Sequence, residues 1–150
     1  MSWEVVVTGL ETLLEGVTGF SAAQVSQEDY TILNKGIAKG VVLHHAGATV
    51  NQQTFGGQCD IHRTIEVNIF EQYKNPADTE NDLRDDVELV MQRVFQYWKL
   101  NGTAGVIGTF LRGISDSGTP PEELVNPPNR WRMRTVEVEI WEHSTTGFAE

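Results

Sequence analysis

The chain has a single cysteine, Cys59, so no intrachain disulfide can form. It has no uninterrupted apolar run near the ~20 residues that a membrane-spanning helix needs, and no membrane span is expected. Its N-terminal stretch, MSWEVVVTGLETLLEG, carries acidic residues and no basic segment, so it does not read as a signal peptide. With one thiol and no leader signal, synthesis in a reducing cytoplasm is expected. Basic residues are scarce: 11 Lys plus Arg stand against 21 Asp plus Glu, for a net charge of −10. The arginines all lie after residue 62, and the one cluster is Arg130, Arg132 and Arg134. Proteins that grip phosphates present a basic patch, because neutralised phosphates release counterions. Specific nucleic-acid binding is therefore not expected, whereas an acidic surface that lets DNA pass without holding it fits the balance. Phosphate-binding loops of the GxxxxGK[ST] or GxGxxG type are missing; Gly36, Gly40, Gly56 and Gly57 read as turn glycines. A GxSxG nucleophile turn is missing too.

What is present is a chain of 150 residues with 39% hydrophobic content, read as one domain over 1–150 with a real core. Val6, Leu10, Leu13, Leu14 and Val17 recur at helical spacing, predicting a first helix from Trp3 to about Gly16 with Ser2 as cap. GFSAAQVSQEDYTILNKG reads as a connection holding a turn of helix. Gly36–His45 reads as a strand, and Ala46–Cys59 as a long hairpin or exposed loop. From Ile61 to Tyr73 the pattern alternates strictly. Ile61, Arg63, Ile65, Val67 and Ile69 share one face; His62, Thr64, Glu66, Asn68 and Phe70 share the other. A second helix follows, with Thr79 as cap, Asp82 in its first turn, and Leu83, Val87, Val90, Met91, Val94 and Trp98 as its buried stripe. It is expected to end near Leu100-Asn101-Gly102. Gly105–Ile114 and Trp131–His143 are the last two strands, separated by a loop that holds four of the five prolines. This order predicts an α+β fold: a mainly antiparallel sheet of about four strands, two helices on one face, and long inter-strand loops.

TIEVNIF (Thr64–Phe70) and TVEVEIW (Thr135–Trp141) spell nearly the same word. Their neighbours do not match, so the echo reads as two strands under the same two-sided burial rather than a duplication. Both words put Glu on the polar face, as Glu66, Glu137 and Glu139. Paired carboxylates are the apparatus of glycoside hydrolysis, but charge on an exposed strand face also keeps a sheet soluble and its edges unpaired; the second reading is preferred. Cys59 and His62, with His44, His45 and His143, are the candidate metal ligands. A lone C-x₂-H spacing lacks the second ligand pair that structural zinc sites use. No metal, cofactor or enzyme chemistry is read from the sequence. The loops Ala46–Asp60 and Ser115–Arg130 carry apolar residues at their tips, namely Val50, Phe55, Leu124 and Val125, which mark them as contact surfaces.

The order of elements resembles the tail terminator, or tail completion, proteins of long-tailed bacteriophages. The resemblance is carried by an N-terminal helix and strand, then the alternating strand TIEVNIFEQY and an N-P-A-D turn. The helix DTENDLRDDVELVMQRVFQYW and the closing strand RWRMRTVEVEIWEH complete it. It implies a structural virion protein, made in the host cytoplasm and resident at the head-proximal end of the tail. Its subunits form a homohexameric ring that stops tail-tube polymerisation and joins the tail to the head. The implied partners are further copies of itself, the tail tube protein and a head-completion or connector protein, with DNA passing through unbound. Six copies carry a formal charge of about −60, and Glu66, Glu137 and Glu139 become candidates for channel or interface charge. Alternatives are a head-completion, connector or tube-related virion protein, a small acidic hydrolase using those glutamates, or a metal- or ligand-binding module using His44, Cys59 and His62.

Overall fold

The computed structural model describes residues 3–52, 58–100, 102, 105–118 and 130–144. Helix α1 spans Trp3–Glu15 and buries Val6, Val7, Leu10, Leu13 and Leu14 along one stripe. It ends in tightened turns, with Gly16 N–H donating to Leu13 O and Val17 N–H to Leu14 O. Gly19 then turns the chain at φ +92°, a conformation that side-chain-bearing residues rarely adopt. After a 3₁₀ turn at Ala22–Gln24 comes a strand absent from the sequence reading, β1, Val25–Gln27. A second 3₁₀ turn, Tyr30–Asn34, is capped by Asp29, whose carboxylate accepts from Thr31 N–H at 3.0 Å. Strands β2 (Lys39–Gln52) and β3 (Cys59–Gln72) follow, then helix α2 (Pro76–Gln96) and strands β4 (Val106–Gly118) and β5 (Trp131–Ser144).

The α+β class holds, but the sheet differs from the expected mainly antiparallel one of about four strands. It has five, in the order β1-β2-β3-β5-β4, and it is mixed because β1 runs parallel to β2. Three residues are too few to show alternation, which is why β1 was not legible. The Ala46–Cys59 stretch resolves into a hairpin: β2 runs on to Gln52 and pairs with β3 as far as Cys59, with a bulge between His45 and Gly47. Likewise β4 extends past Ile114 to Gly118.

Helix α2 starts earlier than expected. Asn75 is the cap, its side chain accepting from Asp78 N–H at 2.9 Å, and Pro76 opens the helix, where its missing N–H costs nothing. Asp78, not Asp82, lies in the first turn. Thr79 is buried inside the helix, and its hydroxyl accepts from Lys74 N–H at 3.0 Å, which pins the entering chain. The helix also stops sooner, at Gln96, so Trp98 falls beyond it and is half exposed rather than buried.

The inner face of the sheet meets both helices. Leu83, Val87, Val90 and Val94 of α2 and the α1 stripe cover Val41, Leu43, Ile65, Val67, Ile69, Val136, Val138 and Ile140, with Met91 packed at the margin. The outer face, expected to be polar, is divided. At one end a second, smaller core forms from Ile32, Leu33, Val42, Phe70 and Trp131. The Tyr30–Asn34 turn lies over it, with the Tyr30 ring edge-on to Phe70 at 5.9 Å. Asn68 is buried there and satisfied: it accepts from the Thr135 hydroxyl at 2.6 Å and donates to the Tyr30 hydroxyl at 3.3 Å. The other end of the outer face is covered by none of the described residues. The echoed words are direct antiparallel neighbours, with Ile65 opposite Val138, Val67 opposite Val136, and Glu66 opposite Glu137.

Candidate functional site

The open end of the outer face adjoins the edge of β4, which among the described residues pairs with β5 alone. The register of β3 against β5 sets His62 beside Trp141 and Thr64 beside Glu139. His62 and Trp141 stack face to face, with centroids 4.0 Å apart and planes 5° from parallel. Phe110 of β4 leans on the other side of Trp141 at 4.8 Å. Glu139 is held by three donors. Arg112 reaches it with Nη2 at 3.1 Å from Oε1 and Nε at 3.3 Å from Oε2; the Trp141 indole N–H donates to Oε1 at 2.6 Å. His62 Nδ1 stands 3.9 Å away. The Trp141 and Arg112 hydrogen bonds, in that order, hold the Glu139 carboxyl below its ordinary range. A carboxylate so tied is a structural anchor and a poor proton donor at neutral pH.

The edge is shaped by β4. Its pairing with β5 slips at three places, between Val106 and Gly108, Leu111 and Gly113, and Asp116 and Gly118, each slip ending on a glycine. Bulges reset which side chains face outward and twist the edge strand. Ile107 and Arg112, each skipped in the register, are turned outward. Beside them the last turn of α2 and the turn after it present Phe95 and Trp98. Phe95 is 77% exposed, and Trp98, Ile107 and Phe110 are each more than a third exposed. Together with Arg112 they line an open groove of about 830 Å³. Lys99 Nζ sits over the Trp98 ring at 4.9 Å, and the Arg112 guanidinium over Phe110 at 5.2 Å. In a chain with net charge −10 this groove has an apolar floor and a basic rim.

Of the residues singled out from the sequence, Glu66, Glu137 and Glu139 do share the outer face. Glu66 and Glu137 stand opposite one another, while Glu139 is neutralised by Arg112. Val50 is exposed, in strand β2 rather than at a loop tip. Phe55, Leu124 and Val125 lie outside the described residues. The metal-ligand candidates do not converge. Cys59 is buried on the inner face with His62 on the outer; His44 pairs with Glu28 at 2.9 Å, and His143 with Asp60 at 2.5 Å. His45 faces Arg63 across 3.5 Å, and burial first, then that cation, hold it below its ordinary value. Among the described residues no three His, Cys, Asp or Glu side chains are grouped to hold a metal ion.

Sequence reasoning missed Phe95, Phe110, Arg112 and the His62–Trp141 stack. A signal existed for Phe95, a large aromatic one position off the apolar stripe of α2 and so on its wet side. The β4 residues carried none, because bulges break the alternation from which a face is read. Comparison of the chain with protein-family models and with curated proteins finds no match.

Proposed function

We propose that the chain is a structural subunit that assembles head to tail into a closed ring, with the role its sequence resemblance implies. It caps the head-proximal end of a phage tail tube as a hexamer, stops tube growth, and presents a surface for the head. The observation that carries this reading is the groove at the β4 edge. Phe95, Trp98, Ile107 and Phe110 expose aromatic and branched apolar area around one cavity, and exposed patches of this kind mark interaction surfaces. Ring contacts between identical subunits are heterologous and need two different patches on one chain. The second lies at the opposite side of the sheet. There, among the described residues, β1 covers only Val41–Leu43, and β2 from Ala46 to Gln52, with Val50 exposed, pairs on its β3 side alone. The end-to-end geometry of two unlike open edges suits a ring. The acid pair Glu66–Glu137 on the outer face supplies the charge that keeps DNA sliding past it.

Native mass spectrometry with negative-stain imaging, alone and with tail tubes, tests the proposal. A six-fold ring is expected, and the double variant Phe95→Asp, Ile107→Asp is expected to stay folded and monomeric. A wild-type chain that stays monomeric at high concentration and on tube ends overturns the reading.

A further inference from the structure

Where β3 ends, its inner face turns from apolar to charged. Glu71 follows Ile69 on the helix side and lies within hydrogen-bond reach of Asp86 of α2, the two lining one groove; both residues are only 4% exposed. Lys39, opposite Glu71 in the β2–β3 register, places Nζ 3.1 Å from Asp86 Oδ1. Lys74, on the connection to α2, lies 4.0 Å from Glu71 Oε1 and 2.9 Å from Asp82 Oδ2. Asp85 lines the same groove of about 430 Å³, and Gln24 and Ala38 form its far wall. Four carboxyls thus share two ammonium groups. Neither lysine satisfies the innermost atoms: among the described residues no N–H or hydroxyl donor reaches Glu71 Oε2 or Asp86 Oδ2. Two buried carboxylate oxygens left bare are costly, and two ionised carboxylates in contact cost more. One proton between the side chains removes both penalties, because a protonated carboxyl donates and its ionised partner accepts.

We propose that Glu71 and Asp86 share a single proton at neutral pH, and that this proton is the catch fastening the N-terminal half of α2 to the end of β3. The proton balance is simple. On alkalinisation the proton passes to solvent, two carboxylates face each other in the joint with Lys39 beside one of them, and α2 parts from β3 until Glu71 is hydrated. Burial first, then the hydrogen bond and charge of Asp86, push Glu71 up to about 8, with Lys39 opposing. In the opened joint Glu71 has its ordinary carboxylate value. The closed joint therefore binds the proton more tightly than the open one. Its stabilisation is complete below the ordinary carboxylate range, falls as pH rises, and is gone once pH passes the folded value. This device does not depend on the ring; it is a property of the single chain.

Hydrogen exchange at the Thr79–Val90 amides, corrected for intrinsic rates, tests it together with a ¹³C-carboxyl titration of Glu71. The local opening constant is expected to rise by up to about tenfold per pH unit between roughly pH 5.5 and 7.5, then level off as the closed form also loses its proton. Glu142 is also pushed up by burial at the far end of β5, so a global melting curve would mix two sites; the local readout separates them. Glu71→Gln keeps a donor toward Asp86 and cannot titrate, so its α2 exchange is expected to be flat over the same range. An unchanged pH dependence in Glu71→Gln overturns the proposal. So does a Glu71 carboxyl that titrates in the ordinary range, a result available from the wild-type chain even where the variant does not fold.

Discussion

The two faces of strands β3 and β5 are built from the same words yet serve opposite ends. On the inner face Ile65, Val67, Val136, Val138 and Ile140 have almost no contact with water, and two helices fix them there. On the outer face Glu66 and Glu137 stand opposite each other, Trp141 is stacked on His62, and Arg112 ties down Glu139. Among the described residues only the stretch near Phe70 and Trp131 is roofed over, by Ile32 and Leu33. One face holds the fold; the other, where uncovered, is available for contact. A single strand carries both functions because its side chains alternate with a period of two.

The contrast is best broken at Val138. Val138→Asp places an unpaired charge in the dry face, which costs several kcal/mol, and no cooperative melting is expected by circular dichroism. Glu137→Val, one residue away, is expected to leave the melting temperature within a few degrees. A smaller effect separates the two halves of the outer face. Phe70→Ala, under the Tyr30–Asn34 roof, is expected to lose about 3–5 kcal/mol in urea denaturation. Trp141→Ala, on the open half, is expected to lose about 1 kcal/mol, the scale of an aromatic pair. The smallest effect sharpens the picture of the acid pair. Glu66→Thr removes a like charge directly across from Glu137 and is expected to raise stability by a few tenths to about 1 kcal/mol. Added salt should erase that gain, since screening weakens exposed repulsion first.

The inner face was readable from the sequence because helix and strand periods each repeat several times there. Leu83, Val87, Val90 and Val94 recur over α2, and Ile65, Val67 and Ile69 alternate in β3. The failures have local causes. Trp98 continues the α2 spacing from Val94, but the helix ends at Gln96, and spacing past a helix end predicts nothing. Thr79 looks like a cap by residue type; Asn75 takes that place because Pro76 suits the first helical position and not an interior one. The roof on the outer face comes from a five-residue 3₁₀ turn too short to show a period. The Arg63–Glu142 pair is buried at the end of the inner face opposite Glu71, beyond the apolar run Ile65–Ile69, and alternation cannot distinguish an arginine with a partner from a misplaced one. The groove at the β4 edge was hidden by bulges. Glu71 and Asp86 were unremarkable apart; only the contact between β3 and α2 makes them a pair.

The central ladder of the sheet joins Cys59 to Ser144 at one end and Gln72 to Trp131 at the other, with α2 and β4 lying between the two strands in the chain. The hairpin of β3 with β2 joins strands adjacent in the chain, but the other side of β3 pairs with β5, the last strand in the described chain. Closing so large a loop before any contact is gained slows folding, and topologies dominated by distant pairings are the slow ones. During that wait β3 shows a bare edge whose proper partner reads almost like itself. A β3 edge from a second chain offers Ile, Val and Ile at the same spacing. The likeness of the two words therefore carries a consequence for refolding: its yield is expected to fall as chain concentration rises, because an unpaired β3 is shielded from a neighbour's β3 once its own β5 has docked.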